Sequence, residues 1–214
     1  MATPSLPRQD HYEIARERAL GKLRHRFDPA RLQQLGAEVR QDGTVRLPCL
    51  CWQLELKIEP LSAVLLPDRR QCEMAWQILA LEYLGGEPAA APVRFVSLAD
   101  FPEARGYLKA FQGRVTGRLA RAVGADERRF SLACERCACA RGDGRPLSYL
   151  FRFFPNFELQ VVRHEGDEDL PPDCNVLFAN NAPRVLSLES MIVAAEKLVS
   201  CLMGRTPSAR GEPQ

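Results

Sequence analysis

Leu147-Ser-Tyr-Leu-Phe-Arg-Phe-Phe-Pro-Asn-Phe-Glu-Leu-Gln-Val-Val162 carries the clearest structural signal in the chain. Leu147, Tyr149, Phe151 and Phe153 alternate onto one face, and beyond Pro155-Asn156 the residues Phe157, Leu159 and Val161 do the same. A period of two marks extended chain buried on one side, and a proline–asparagine pair supplies a turn between two such runs. The stretch therefore predicts an antiparallel hairpin. A second alternation sets Trp52, Leu54, Leu56 and Ile58 against Gln53, Glu55 and Lys57, and predicts a half-buried strand. Asp42-Gly43, a tight-turn dipeptide between Val39 and Val45, adds another hairpin just before it. We expect the strands of 44–58 and 147–162 to share one mostly antiparallel sheet.

Helical spacing fills the rest. Tyr12, Ala15, Ala19, Leu23 and Phe27 recur on one side of a basic segment, and Asp28-Pro29 reads as an N-cap followed by proline at the first helical position. Asp68 is a candidate cap for a helix reaching Leu84, whose stripe of Cys72, Ala75, Trp76, Leu79 and Tyr83 is widened by Ile78 and Leu81 and ends at Gly85-Gly86. An alanine–proline linker then leads to a short strand at 93–96. Helical segments are expected over 104–111, 115–123 and 126–137, and a turn over 141–146. Ser187 caps a last helix in which Leu188, Met191, Ile192, Ala195, Leu198, Val199 and Leu202 keep the i, i+3, i+4 rule. The sum is an α+β single domain over residues 11–204, after a loose segment 1–10 and before a polar, disordered tail 205–214.

Composition narrows the function classes. The chain has 214 residues, 46% of them hydrophobic, enough for one substantial core. Twenty-nine basic against 27 acidic residues leave +2, too little excess for a surface built on nucleic-acid phosphates. There is no signal-peptide core and no run approaching the ~18 apolar residues of a membrane span. A cytoplasmic address follows, in which the eight cysteines are expected to stay thiols or metal ligands. No nucleophile elbow, phosphate-binding loop, dinucleotide fingerprint or paired-histidine motif occurs, so the chain offers no catalytic motif, and a non-enzyme is the favoured reading.

Three clusters remain as candidates. Cys134-Glu-Arg-Cys137 puts two thiols one helical turn apart; with Cys139, and with Cys49 or Cys51 at strand spacing, they could complete a site for zinc or an iron–sulfur cluster if the fold converges them. The alternative is that reduced cysteines act as small buried hydrophobes, their sulfurs dispersed. His164-Glu-Gly166-Asp167-Glu168-Asp169 could hold a hard cation, or be a solvated connection. Tyr107, Phe111 and Arg114 could line a ligand pocket, or belong to the core and its ion pairs. The basic helix near the N-terminus, and Arg105, Lys109, Arg114, Arg118 and Arg121, which would share one helix face if Gly113 and Gly117 did not interrupt it, could form a surface for acidic partners or phosphates, or be solvated helix faces.

Several of these stretches resemble the family known as domain of unknown function 3786. The likeness rests on Trp76-Gln-Ile-Leu-Ala-Leu-Glu-Tyr-Leu84, the Tyr107, Phe111 and Arg114 spacing, Gly166-Asp167-Glu168 with Pro171 and Asn175-Val-Leu-Phe178, and Leu186 with Glu189. Where the family commonly has an Asp after the Leu-Phe pair and a Thr-Glu-Asp run opening the last helix, this chain has Ala179-Asn180 and Leu188-Glu189-Ser190. The resemblance implies an α+β fold and a link with anaerobic metabolism. It implies no activity. The expected function is that of an accessory or binding module recognising a protein partner or small ligand around Tyr107, Arg114 and the Gly166 turn, with no cofactor; the alternative is a metal- or redox-linked protein built on the cysteines.

Overall fold

The computed structural model describes residues 8–88, 94–143 and 146–207. The loose start at residues 1–7, the linker with Val93, the centre of the 141–146 turn and the end of the tail lie outside the described residues. The chain runs through helices α1 (Arg8–His25) and α2 (Pro29–Gln34), strands β1 (Glu38–Val39), β2 (Val45–Cys49), β3 (Trp52–Lys57), β4 (Ser62–Leu66) and β5 (Arg70–Gln71), and helix α3 (Met74–Leu84). After β6 (Phe95–Val96) come a helical stretch from Pro102 to Gly124, α6 (Glu127–Glu135), β7 (Cys139–Arg141), β8 (Leu147–Phe154), β9 (Phe157–His164), β10 (Asp173–Ala179) and α7 (Leu188–Leu202). Within the helical stretch, α4 (Leu108–Phe111) and α5 (Gly117–Leu119) alternate with wide π-type turns at Gln112–Thr116 and Ala120–Gly124.

The strands form two antiparallel sheets, not one. The first is the meander β1-β2-β3-β4-β5, and the second has the order β6-β10-β9-β8-β7. They meet where the turn after β2 docks on β8, the Leu50 amide donating to the Phe153 carbonyl at 3.2 Å. A β-bulge makes that contact available. Arg152 pairs with Glu158 and Phe154 with Phe157, so Phe153 is an extra residue in β8. A bulged residue leaves the ladder, and here it also turns two successive rings, Phe153 and Phe154, into the core. Trp76 of α3 stacks on Phe153 with ring centroids 5.1 Å apart, and Tyr83 stacks on Phe154 at 4.6 Å. The long hairpin expected from the sequence is thus the platform on which α3 lies.

Helix entry and exit follow local chemistry. The Asp28 side chain accepts from the Ala30 amide and Pro29 stands at the first turn, while the Ser187 hydroxyl accepts from the Ser190 amide. Asp68 is no cap. It lies in the turn before β5, paired with Arg70 at 2.7 Å, because the chain stays extended through Gln71 and α3 starts only after Glu73. Gly113 and Gly117 do not break the helical stretch either, since a wide turn closed by the Gly117 amide on the Gln112 carbonyl absorbs them. Gly36 ends α2 at φ +78°, its amide on Gln33 and the Ala37 amide on Leu32. It lies against Pro155, and the Asn156 side chain donates to the Gln34 carbonyl at 2.9 Å. Tyr83 completes this junction: its hydroxyl donates to the Leu35 carbonyl at 2.7 Å and accepts from the Asn156 amide at 3.0 Å.

Glu55, expected on the solvent side of β3, is buried at 6% exposure. Arg46, its cross-strand neighbour, holds it at 3.0 Å and Arg69 at 2.7 Å. Burial pushes its carboxyl up, but the hydrogen bonds and charges of the two arginines outweigh that and leave it below the ordinary glutamate value. A depressed carboxyl contributes stability that is present above the unfolded-state value and lost as pH falls through the folded one. Glu55→Gln should therefore be less stable than wild type at neutral pH, with the gap closing as the pH drops below about 4. Parallel melting curves for the two proteins from neutral to acid pH would refute this assignment.

Candidate functional site

Three helices leave a groove between them. Its volume is about 930 Å³, against about 540 and 250 Å³ for two other surface cavities. One wall is α1, the floor and second wall are α3, and the third is the start of α7. The apolar lining comes from Tyr12, Ile14, Ala15 and Ala19 of α1, Ala75, Ile78 and Leu79 of α3, and Leu188 and Val193 of α7. Ala19 and Leu79 are buried, while Tyr12 stays 43% and Ile14 65% exposed, so the α1 wall presents apolar side chains to solvent. Volumes of this order hold a ligand or one face of a peptide.

The charges around the groove are unevenly placed. His11, Arg18 and Lys22 line it from α1. Glu82 of α3 faces them, but its carboxylate already accepts from the Ser187 amide at 2.8 Å and from the Ser190 hydroxyl, closing the positive N-terminal end of α7. With Glu82 committed inward, Arg18 and Lys22 of α1 look onto the opening from one side, and the exposed Glu189 lines it from α7. Behind the groove, α1 is fastened by α2: Arg31 donates to the carbonyls of Arg26 at 2.9 Å, Gly86 at 2.6 Å and Leu84 at 2.5 Å, tying α1 to the end of α3.

Of the sequence candidates, the basic N-terminal helix contributes Arg18 and Lys22 to the groove, whereas Tyr107, Phe111, Arg114, Gly166, Asp167, Glu168 and the clustered cysteines line none of these three cavities. Tyr107 is 44% exposed, whereas Phe111 is buried and packs on Phe178 with centroids 5.8 Å apart. Arg114 reaches out from the wide turn to Glu196 of α7 at 3.4 Å, the ion pair that the sequence left open as its alternative. Gly166 begins a tight turn: the Asp167 amide donates to the Leu170 carbonyl, and the Asp167 side chain accepts from the amides of Asp169 and Leu170 at 3.0 and 2.8 Å. A Cβ on Gly166 would stand 2.6 Å from the Leu170 carbonyl oxygen, so close backbone approach accounts for this glycine. Glu168 is exposed in the same loop.

Six of the eight cysteines are buried, Cys139 is half-buried and Cys51 is exposed. Cys134 ends within α6, Cys137 follows its last turn, and Cys139 opens β7 opposite Phe151. Burial pushes the Cys137 thiol up to about 12, and the Cys49, Cys134 and Cys201 thiols upward too. Cys72 is buried and donates to the Pro207 carbonyl. Among the described residues no three His, Cys, Asp or Glu side chains converge as a metal site would require.

These features define an α+β domain of two antiparallel sheets with a three-helix groove on one flank. The model of a domain of unknown function (DUF3786) matches residues 29–200, and the chain belongs to that family. No curated protein and no solved structure matches it. Helix α1 precedes the matched region, so one wall of the groove is contributed from outside it. Among the described residues no helix is long and apolar enough to cross a membrane.

The groove is not predicted from the sequence: helical spacing puts Tyr12 on the buried stripe of α1, where it is 43% exposed. The available signal was the spacing of Ile14, Arg18 and Lys22 at i, i+4 and i+8, an apolar residue in line with two cations, facing an α3 stripe too wide for a single buried face.

Proposed function

We propose that this protein is a cytoplasmic, non-catalytic binding module, and that the groove between α1, α3 and α7 receives an amphipathic helical segment of a partner protein carrying carboxylates on one edge. The observation behind this reading is the exposure of Tyr12 and Ile14 at the lip of a groove of about 930 Å³. Apolar side chains held in water beside an apolar cleft favour a partner that covers them. Charge favours an acidic edge on the α1 side, where Arg18 and Lys22 border the opening, while Glu189 lines the α7 side and Glu82 is engaged with the Ser187 amide.

Affinity selection of a displayed random-peptide library on the whole protein tests the reading. Selected peptides should carry apolar residues at helical spacing flanked by Asp or Glu. Ile14→Glu should weaken them at least about tenfold, and Arg18→Glu should weaken them similarly, with the fold unchanged. Arg114→Ala and Tyr107→Ala should leave binding intact. Peptides insensitive to Ile14→Glu but lost in Arg114→Ala would move the site to the other face.

A further inference from the structure

A second apolar cleft lies at the far end of α7 from the groove. Its volume is about 250 Å³, and its apolar lining is Ala122 and Val123 of the wide turn before α6, Leu132 of α6, and Leu202 and Met203 where α7 ends. Leu202 is buried, whereas Leu132 is 49% and Met203 40% exposed. Two large apolar side chains thus stand in water beside an apolar recess. At roughly a quarter of the groove's volume, the recess has room for one large side chain rather than for a helix face.

Charge is the second observation. The ionised side chains lining the cleft are both cations, Arg129 and Arg136. Leu132 follows the first by three residues and precedes the second by four, so the three share one face of α6, and the two arginine positions lie about 10 Å apart along the axis with the apolar residue between them. Neither arginine has a carboxylate partner among the described residues; Arg136 donates to the Leu132 carbonyl at 3.1 Å. The acids of α6 are directed elsewhere. Asp126 caps the helix on the Arg129 amide at 3.0 Å, Glu127 faces Arg163 at 4.0 Å, and Glu135 accepts from the Tyr149 hydroxyl at 3.4 Å. The carbonyls at the end of α7 are taken as well, Ser200 by the Arg205 amide at 3.0 Å and Cys201 by the Gly204 amide at 2.8 Å.

From this arrangement we propose that the cleft between α6 and the end of α7 docks an acidic peptide segment of a partner protein, which inserts one large apolar side chain flanked by two carboxylates. The anchor displaces water from beside Leu132 and Met203, and the carboxylates take charge-assisted hydrogen bonds from Arg129 and Arg136. A helical segment with acidic residues one turn before and one turn after its anchor meets the spacing of the two arginines. A single-headed anion such as a fatty carboxylate would engage one arginine and leave the other unmatched, so the pair of cations favours a peptide. The cleft shares no lining residue with the groove, and the two sites are independent.

The probe is a fluorescein-labelled, alanine-rich helical peptide with one leucine between two glutamates, three residues from one and four from the other, titrated with the full-length protein and followed by anisotropy. Saturable binding is expected, weakened at least about tenfold when the leucine becomes alanine or both glutamates become glutamine, and weakened by added salt. Leu132→Asp should weaken it by a similar factor. In the double variant Arg129→Glu/Arg136→Glu the glutamate peptide should be lost, and a peptide with lysines in place of its glutamates should bind instead. All three positions are exposed, so the fold should survive, and Leu132→Asp decides alone if the double variant does not fold. Ile14→Glu, in the groove, should leave binding unchanged. No saturation at about 0.5 mM protein would overturn the proposal, as would undiminished binding in Leu132→Asp or loss in Ile14→Glu. Binding of phosphatidylglycerol vesicles through Arg129 and Arg136 in place of the peptide would overturn it too.

Discussion

Trp76→Ala should be the most damaging single truncation of the core that α3 shares with the second sheet, costing about 4 kcal/mol and lowering the melting temperature by about 10 °C. The indole is 1% exposed and lies nearly parallel to Phe153, with 6° between the ring planes. Phe153 is in turn packed edge-on by Phe154 at 5.0 Å and by Phe157 at 6.0 Å. Its backbone carbonyl holds the first sheet, so an emptied space above it cannot be filled by sliding the strand. Partial collapse is what makes some truncations cheap, and here the collapsing element is fixed from three sides. Trp76→Phe keeps a stacking ring and should lose less than half as much. Equal losses for the two variants, measured by denaturant unfolding, would show that ring stacking is not what Trp76 contributes.

Gly36→Ala is expected to cost about 3 kcal/mol, for two separable reasons. At φ +78° a residue with a Cβ pays about 1–2 kcal/mol for the left-handed conformation. The added carbon would also stand 2.4 Å from the Pro155 Cβ, and a pyrrolidine ring cannot swing aside. To relieve the overlap, the end of α2 must lift from the β8–β9 turn, taking with it the bond from the Asn156 side chain to Gln34. In a Pro155→Gly background the overlap is gone and only the conformational part should remain. An undiminished cost in that background would remove Pro155 from the explanation.

How far these features could be read from residues depends on the range of the interaction that makes them. The β8–β9 hairpin, the Asp42-Gly43 turn and the caps at Asp28 and Ser187 are set by neighbours a few positions apart, and the residues announce them. The division into two sheets was not legible, because it depends on a bulge at Phe153 inside an otherwise regular alternation. Glu55 misled for a similar reason: its alternation assigns it to solvent, and only the arrival of Arg69 from the next turn, opposite Arg46, makes burial tolerable. Arg114 and Gly166 could be picked out as unusual, but their roles, an ion pair with Glu196 and a tight backbone approach to Leu170, depend on where distant segments fall. The groove is a space between three helices remote in sequence, and no single stretch encodes it.

The strand orders of the two sheets also bear on the path by which the chain reaches this structure. Each strand of the first sheet pairs with its immediate successor, so every closure there spans a short loop and costs little chain entropy. In the second sheet β6 must find β10, with Val96 opposite Phe178 across roughly eighty intervening residues. The meander and the β8–β9 hairpin can thus assemble while the chain is still largely open, and the β6–β10 edge is the last seam to close. Until it does, the outer edge of β10 offers unpaired backbone groups, and a nascent chain is then most exposed to strand exchange with its neighbours.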